Sequence, residues 1–216
     1  MSIADNLNKI KATLPEAVTL VAVSKTKPNT DIVAAYNAGQ RIFGENKIQE
    51  MTQKWEELPK DIEWHMIGHV QTNKVKYMAE YVTLIHGVDS LKLLKEINKQ
   101  ARKYDRIIKC LLQIHIAKEE TKFGFDKTEL LEIIENELFK DFENIKVVGL
   151  MGMATFTQNK EQIHKEFKSL KLLFDLAKSK DSHFDTLSMG MSGDYQMAIE
   201  EGSTMVRIGS SIFGNR

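Results

Sequence analysis

This 216-residue sequence lacks several features, and each absence excludes a class of protein. It has one cysteine, Cys110, so an internal disulfide is impossible and a small scaffold held by disulfides is excluded. No apolar run approaches the roughly 18 residues that a membrane-spanning helix needs. The N-terminal stretch MSIADNLNKIKATL is amphipathic and lacks the apolar centre of a signal peptide. We therefore expect a cytoplasmic protein with no membrane partner.

The sequence also lacks an excess of either charge, with 30 Lys and Arg against 30 Asp and Glu. A nucleic-acid partner held by bulk positive charge is therefore not expected. No Gly-rich linker, low-complexity tract or block of charge marks a domain boundary. The 42% hydrophobic residues are ordinary for a globular chain with one core. We expect residues 1–216 to form a single domain.

Short apolar runs recur along the chain and predict β-strands. Most of them are continuously apolar, which is typical of parallel strands covered on both faces. The runs lie at residues 18–24, 41–45, 63–68, 81–88, 107–116, 146–153, 184–190 and 204–214. Cys110 lies inside the fifth run, which favours a buried and unreactive thiol.

Helical patterns separate these strands. Residues 161–178 carry apolar side chains three and four positions apart, which predicts one buried stripe on a helix. Similar segments occupy 90–103, 128–138 and 30–38, beginning at Ser90, Thr128 and Thr30, and weaker patterns cover 47–57, 71–80 and 194–201. Parallel strands need crossover connections, which these helices supply. Eight such units predict a (β/α)8 TIM barrel, with an open doubly wound sheet as the alternative.

Active sites of (β/α)8 barrels lie at the carboxyl ends of the strands, which gives a set of candidate residues. The set contains Lys25, Asn46, residues 65–68, His86, Asp89, His115, Met151, Met153, residues 188–192 and residues 207–211. The loops after strands seven and eight commonly bind phosphate in this fold. Here they read SMGMSGD (188–194) and RIGSS (207–211), which combine glycine with serine hydroxyls. A helix starting near residue 194 would favour an anion further.

Two cations follow or interrupt apolar runs. Lys25 ends the stretch VAVSK, with Lys27 close behind it. A desolvated amine beside a second cation has a lowered pKa and can form a Schiff base, whereas the alternative is an ordinary lysine whose stem packs at a strand end. Arg207 lies within TMVRIG, either in an ion pair at the rim or aimed at a ligand atom. A Schiff-base lysine, a phosphate site and an arginine together predict a phosphorylated aldehyde, of which pyridoxal phosphate is the most familiar.

The histidines are less informative than these two cations. His65 either lines the pocket or is a satisfied structural side chain, and both interpretations stay open. The other histidines have no metal-ligand spacing, and the sequence contains no CxxC, HExxH or paired-carboxylate pattern. We expect no metal site. Without the cofactor, Lys25 would be a Schiff-base lysine acting on a sugar phosphate, as in barrel aldolases.

Several segments resemble one known family, and they extend over nearly the whole chain. They are VAVSKTKP (21–28), FGENKIQE (43–50), WHMIGHVQTNK (64–74), KFGF (122–125), GLMGM (149–153) and LSMGMSGDYQMAIEEGSTMVRIGSSIFG (187–214). Together they resemble the pyridoxal phosphate homeostasis protein family, also called YggS/PROSC. The resemblance implies a barrel like the N-terminal domain of alanine racemase, holding pyridoxal 5'-phosphate as a lysine aldimine. Phe123 beside Lys122 departs from the commoner KxG surroundings in the family.

The resemblance also implies a set of cofactor contacts. Lys25 would be the aldimine lysine, Arg207 would face the pyridine nitrogen, Gly209 and Ser210 would bind phosphate through backbone N–H groups, Ser188 and Ser192 would add contacts, and Asn46 would lie near the ring.

The implied function is to hold pyridoxal phosphate within the cell and take part in its homeostasis, without catalytic residues. An always-charged arginine at the ring nitrogen discourages that nitrogen's protonation and weakens the ring as an electron sink. The related racemases take a second base, a tyrosine, from another domain of a partner subunit, and we expect no such domain here. The alternative is a pyridoxal phosphate-dependent, racemase-like isomerase. The partners expected are the cofactor and, transiently, apoenzymes that use it; we expect a monomer.

Overall fold

The computed structural model describes residues 2–117 and 123–214, and its central feature is a closed parallel barrel of eight strands. The strands are β1 (Thr19–Val23), β2 (Ile42–Glu45), β3 (Glu63–Met66), β4 (Leu84–Val88), β5 (Ile108–Gln113), β6 (Ile145–Met151), β7 (Thr186–Met191) and β8 (Met205–Ile208). Each strand pairs with the next along the chain, and β8 pairs with β1 to close the barrel. The predicted (β/α)8 barrel is confirmed, and the open sheet is excluded.

Helices connect the strands and cover the outside of the barrel. They are α1 (Ile3–Thr13), α2 (Asn29–Asn37), α3 (Ile48–Glu57), α4 (Leu91–Arg102), α5 (Lys127–Glu135), α6 (Lys160–Lys180), α7 (Tyr195–Glu200) and α8 (Ser210–Phe213). The third connection contains a 3-10 helix, Thr72–Tyr77, in place of the predicted helix over 71–80. No helix among the described residues is long and apolar enough to cross a membrane.

The ends of several helices follow the local chemistry of the sequence. The predicted start at Ser90 is confirmed, because its hydroxyl accepts a hydrogen bond from the Leu93 N–H. The predicted start at Thr128 is wrong. Asp126 caps α5 instead, because its carboxylate accepts from the Glu129 N–H while the Glu129 carboxylate accepts from the Asp126 N–H. The turn after α2 uses Gly39, whose φ of +85° favours glycine.

The last predicted strand, 204–214, is too long. Strand β8 ends at Ile208, which is also the last residue paired with β1, opposite Ala22. Beyond this pair the chain leaves the sheet, and residues 210–213 form the short helix α8. The loop after β8 is therefore the turn into a helix, and Gly209 is its N-cap residue.

The core consists of two apolar clusters. A small cluster inside the barrel consists of Val21, Leu84, Leu111, Val148, Met151 and Met205, while a larger cluster packs the outer faces of the strands against the helices. Cys110 belongs to the outer cluster and is fully buried, as predicted, and burial raises the pKa of its thiol. Since the inner cluster fills the barrel, a ligand site must lie at one end of it.

Candidate functional site at the barrel mouth

Lys25 lies in a tight turn at the carboxyl end of β1. The side chain of Val21 faces the barrel interior, and β1 ends at Val23, two residues before Lys25. The Ser24 N–H donates to the carbonyl oxygen of Gly44 at 3.1 Å, which carries the sheet pairing one residue past the strand. The Lys27 N–H then donates back to the Ser24 carbonyl at 3.0 Å, closing the turn. Lys25 is therefore a half-buried amine held at the mouth of the barrel.

A buried polar network supports this turn from the outer side of the barrel. Lys54, on α3, is only 5% exposed and donates to three oxygens. They are the Ser24 carbonyl at 2.9 Å, Glu45 Oε1 at 2.8 Å and Glu50 Oε1 at 2.7 Å. Burial raises the pKa of Glu45, while hydrogen bonds from Lys54 and Ser24 oppose that rise. Lys54 was not among the residues predicted for the site, and the Glu50–Lys54 spacing of four residues is the signal that the sequence offers for it.

Arg207 lies inside the barrel near its mouth and is 4% exposed. Its Nη1 donates to the carbonyl oxygen and the Oγ of Ser188, at 2.9 and 2.5 Å, and its Nη2 donates to the Gly152 carbonyl at 3.1 Å. Burial lowers the pKa of Arg207 to about 10, so the guanidinium stays charged at neutral pH. These three bonds go to uncharged oxygens, while the charge of Asp194 opposes the lowering of the Arg207 pKa.

His65 and His86 continue the polar chain that starts at Arg207. His86 Nδ1 lies 3.0 Å from Ser188 Oγ, and His86 Nε2 lies 3.1 Å from His65 Nδ1. Burial lowers the pKa of His65 to about 3 and that of His86 well below its usual range, with Arg207 adding to the effect on His86. Both imidazoles are therefore neutral. Two buried, neutral rings favour the structural interpretation of His65. His86 links Ser188 to His65, which its position in the sequence did not reveal.

The loops after β7 and β8 meet, as the barrel rule predicts. The Gly209 N–H donates to the Ser192 hydroxyl at 3.2 Å, directly before Ser210 begins α8. A Cβ atom on Gly209 would lie 3.2 Å from the Val23 carbonyl oxygen, so glycine allows this close approach to β1. Within the β7 loop, the Met191 N–H donates to Asp194 Oδ1 at 2.6 Å and fixes the turn. These two Gly/Ser loops therefore adjoin the strand that leads into Lys25.

Asn46 follows β2 at the same end of the barrel and is half-buried. Its Oδ1 atom is buried and, among the described residues, has no hydrogen-bond partner. A Cβ atom on Gly68 would lie 2.5 Å from the Asn46 carbonyl oxygen, so glycine lets the next loop pack against this residue. An unpaired buried acceptor is costly unless a donor satisfies it. Asn46 therefore fits a ligand that brings a hydrogen-bond donor.

The remaining candidates of the sequence analysis have other surroundings. His69 Nδ1 and Asp89 Oδ2 lie within hydrogen-bond distance at 2.9 Å, and the His69 ring stacks on Phe123 with a centroid distance of 4.1 Å. Lys122 of the KFGF segment lies outside the described residues. No group of three or more His, Cys, Asp or Glu within residues 2–117 and 123–214 could hold a metal ion.

Comparison with known proteins defines the class of this barrel. The family model for the N-terminal domain of alanine racemase matches residues 1–216. The alanine racemase of Clostridium difficile 630 superposes with a TM-score of 0.83 at 18% identity, covering 100% of this chain and 57% of that one. At this identity the likeness concerns the fold alone. The protein is a barrel of the alanine racemase N-terminal type.

Two curated relatives give the family. The pyridoxal phosphate homeostasis protein of Aquifex aeolicus is 42% identical over 199 residues, covering 91% of this chain and 86% of the relative. The one from Synechocystis is 41% identical over 213 residues, covering 97% and 96%. This chain belongs to the pyridoxal phosphate homeostasis protein family.

A solved structure at higher identity agrees with this assignment. PipY of Synechococcus elongatus, with pyridoxal phosphate bound, has a TM-score of 0.89 and 32% identity, covering 99% of this chain and 100% of that one. PipY without the cofactor has a TM-score of 0.93 and 33% identity over the same coverage. The whole barrel described here therefore has a counterpart in a protein that binds pyridoxal phosphate.

Proposed function

We propose that this protein binds pyridoxal 5'-phosphate through Lys25 and serves in the homeostasis of that cofactor. The observation that carries the proposal is the adjacency of two features at the mouth. The β1 turn that presents Lys25 packs beside Gly209, where the loops after β7 and β8 meet. When bound, pyridoxal phosphate supplies an aldehyde that condenses with an amine, releasing water and leaving a Schiff base.

The residues at the mouth fit the polar groups of this cofactor. We propose that Arg207 faces the pyridine nitrogen, because its charged guanidinium is fixed by Ser188 and Gly152. Gly209 and Ser210 would offer backbone N–H groups to the phosphate, the Gly209 N–H giving up its present hydrogen bond to Ser192 Oγ. The unpaired Oδ1 of Asn46 would accept from a donor on the ring. Ser188 is fully buried and already bonded to Arg207, so we propose that it acts by orienting the guanidinium.

We also propose that the protein holds the cofactor without catalysing a reaction. A charged arginine at the ring nitrogen disfavours its protonation, which weakens the ring as an electron sink. The competing function is an amino-acid isomerase of the racemase kind. Incubation with single-enantiomer amino acids in D2O separates the two, since enzymatic rates of deuterium exchange at the α-carbon would overturn the carrier proposal.

The test of covalent binding uses Lys25→Ala with Lys92→Ala, an exposed lysine on α4, as the matched control. The unsubstituted protein and the control should show a visible Schiff-base band, and borohydride should fix the cofactor mass on the peptide that contains Lys25. The Lys25→Ala protein should lose both signals. A Lys25→Ala protein with an unchanged band would contradict the assignment. A colourless protein that borohydride traps only with a sugar phosphate would favour the aldolase-like alternative.

Several further features of this function are proposals. We infer that residues 1–216 act as one cofactor-binding domain, supported by the pairing of β1 with β8 near the two ends of the chain. We propose a cytoplasmic monomer that passes the cofactor to apoenzymes in transient contacts. Transfer to an apoenzyme in the presence of an excess of a pyridoxal phosphate scavenger would support direct passage. Transfer that the scavenger abolishes would instead indicate release into solution.

A further inference from the structure

The side chains of Glu45, Glu50 and Lys54 form one buried group beneath the turn that carries Lys25, which we name the Lys54 clamp. The Lys54 ammonium has three N–H donors, and three acceptors lie within 2.9 Å of it. Glu45 is fully buried, and the side chain of Glu50 is 24% exposed. All three donors of the buried ammonium are thus satisfied, and two of its three acceptors are carboxylate oxygens.

The Lys54 clamp holds the chain on both sides of Lys25. On the preceding residue, the Ser24 hydroxyl donates to Glu45 Oε1 at 2.6 Å, and the Ser24 carbonyl accepts from Lys54. On the following residue, the Thr26 N–H donates to Glu50 Oε1 at 2.6 Å. The backbone at both neighbours of Lys25 is therefore fixed by one group of side chains on β2 and α3.

Thr26 needs this support because its backbone is strained. Its φ is +65°, in the left-handed region that a β-branched residue rarely adopts. Such strain persists only where the surrounding contacts determine the conformation. The hydrogen bond from Thr26 to Glu50 is the side-chain contact that supports this turn, beside the backbone bond from Lys27 to Ser24.

We propose that the Lys54 clamp is a positioning device for Lys25, which fixes where its amine meets the aldehyde of pyridoxal phosphate. The inference rests on the proposed function and adds Glu50 and Lys54 to it as positioning residues. They act through the backbone of Ser24 and Thr26. In the step they assist, the Lys25 nitrogen forms a bond to the aldehyde carbon, and the aldehyde oxygen leaves as water. A well-placed amine reacts faster because its orientation is already set.

The test measures the rate at which apoprotein mixed with pyridoxal phosphate becomes labelled at Lys25, using borohydride quenching at successive times and mass analysis of that peptide. Glu50→Ala should slow labelling about tenfold, because the Thr26 turn relaxes. Glu50→Gln should stay within about twofold, since the amide oxygen still accepts from the Thr26 N–H. The control Glu132→Ala, an exposed glutamate on α5, should label at the normal rate.

A rescue experiment separates positioning from general stability. Glycine adopts positive φ readily, so adding Thr26→Gly to Glu50→Ala should restore most of the labelling rate. If Glu50 only stabilised the fold, Thr26→Gly would not restore the labelling rate. Replacing threonine with glycine makes the chain more flexible, which does not stabilise the fold. Lys54→Met should also slow labelling, and urea unfolding of each apoprotein shows whether the variant is folded before its rate is compared.

The outcomes distinguish this inference from the function on which it rests. Normal labelling of Glu50→Ala, or failure of Thr26→Gly to restore its rate, would overturn the positioning role while leaving Lys25 as the cofactor lysine. Absence of label on Lys25 in the unsubstituted protein would overturn the proposed function and this inference together.

Discussion

The Nε2 atom of His86 lies 3.1 Å from the Nδ1 atom of His65, so one of these two nitrogens carries a hydrogen and the other accepts it. Arginine can only donate, so Ser188 Oγ accepts from Arg207. Because each neutral ring carries one N–H, the tautomers of His86 and His65 set the direction of the two remaining bonds. The charge of Arg207 therefore fixes the direction of the first bond in this chain, and the two histidines fix the others.

The neutrality of the two histidines predicts a dependence of stability on pH. Because the folded pKa of His65 is about 3, the unfolded chain binds more protons than the folded chain from the ordinary histidine pKa of 6.5 down to that value. The free energy of unfolding should therefore fall as the pH falls through this range, by up to about 1.4 kcal/mol per pH unit for each histidine. Urea unfolding between about pH 7 and about pH 5, above the range of most carboxylates, measures this slope.

The matched variant for this prediction is His65→Phe, which removes one of the two titrating groups. Its free energy of unfolding should depend less steeply on pH than that of the unsubstituted protein. The slope should be smaller by roughly the contribution of one titrating histidine. Equal slopes in the two proteins would show that His65 is not held neutral in the folded state.

Replacement of Arg207 tests the energetic cost of the polar chain. Arg207→Met would leave the buried Gly152 carbonyl without this donor, whereas the Ser188 carbonyl would still accept from the Gly152 N–H. A buried group left unsatisfied costs about 1–3 kcal/mol. Urea unfolding of the apoprotein should show this loss, whereas the exposed Arg102→Met should change stability by less than about 0.5 kcal/mol. An Arg207→Met apoprotein as stable as the control would mean that the three bonds contribute no net stability.

The fold could be predicted from local sequence because its strands are buried on both faces and its helices are amphipathic. The continuous apolar runs identify all eight strands, and their number and alternation with helices lead to the barrel. The end of β8 could not be predicted this way, because apolar residues recur at 212–213 beyond Gly209 and the two serines, so the predicted run extends past the strand. The boundary is instead marked by the last pair with β1, Ala22 opposite Ile208, which only the closed barrel shows.

The site, like the fold, could be predicted from the sequence only in part. General rules of the fold place Lys25 at a strand end and bring Ser192 to Gly209. The role of Lys54 could not be seen, because a glutamate and a lysine four residues apart on a helix usually indicate a solvated pair. Its burial arises from Ser24 and Glu45, which belong to other elements that only the assembled barrel brings together.

Gly209→Ala tests the phosphate site without touching the lysine. The added Cβ would lie 3.2 Å from the Val23 carbonyl oxygen and 3.3 Å from the Val23 Cβ, so the end of β8 must move. Affinity for pyridoxal phosphate should fall about tenfold, equivalent to about 1.4 kcal/mol, while affinity for pyridoxal, which lacks the phosphate, stays the same. Ser169→Ala, at an exposed position on α6, is the control. An equal loss for both ligands would indicate displacement of the Lys25 turn instead.

Cys110 should be unreactive in the folded protein. Its side chain is fully buried, and the raised pKa of its thiol keeps it protonated, whereas the thiolate is the reactive form. A thiol reagent such as dithiobis-nitrobenzoate should label the protein slowly under native conditions and rapidly in urea. Fast labelling of the native protein would show that the outer layer of the core around β5 opens readily.

Gly149 should be among the least replaceable residues of the barrel. It lies in β6 opposite Thr186 of β7, and a Cβ at this position would fall 1.7 Å from the Thr186 carbonyl oxygen. That oxygen belongs to the backbone of a paired strand, so no rotation of a side chain can relieve the overlap, and the two strands must separate. Gly149→Ala should therefore lower the free energy of unfolding by about 3 kcal/mol or prevent folding. Gly193→Ala should change it by less than about 1 kcal/mol, because nothing lies within 4 Å of its added Cβ. Thermal and urea unfolding of the two variants side by side measure this difference, and equal stabilities would contradict the close approach of β6 and β7.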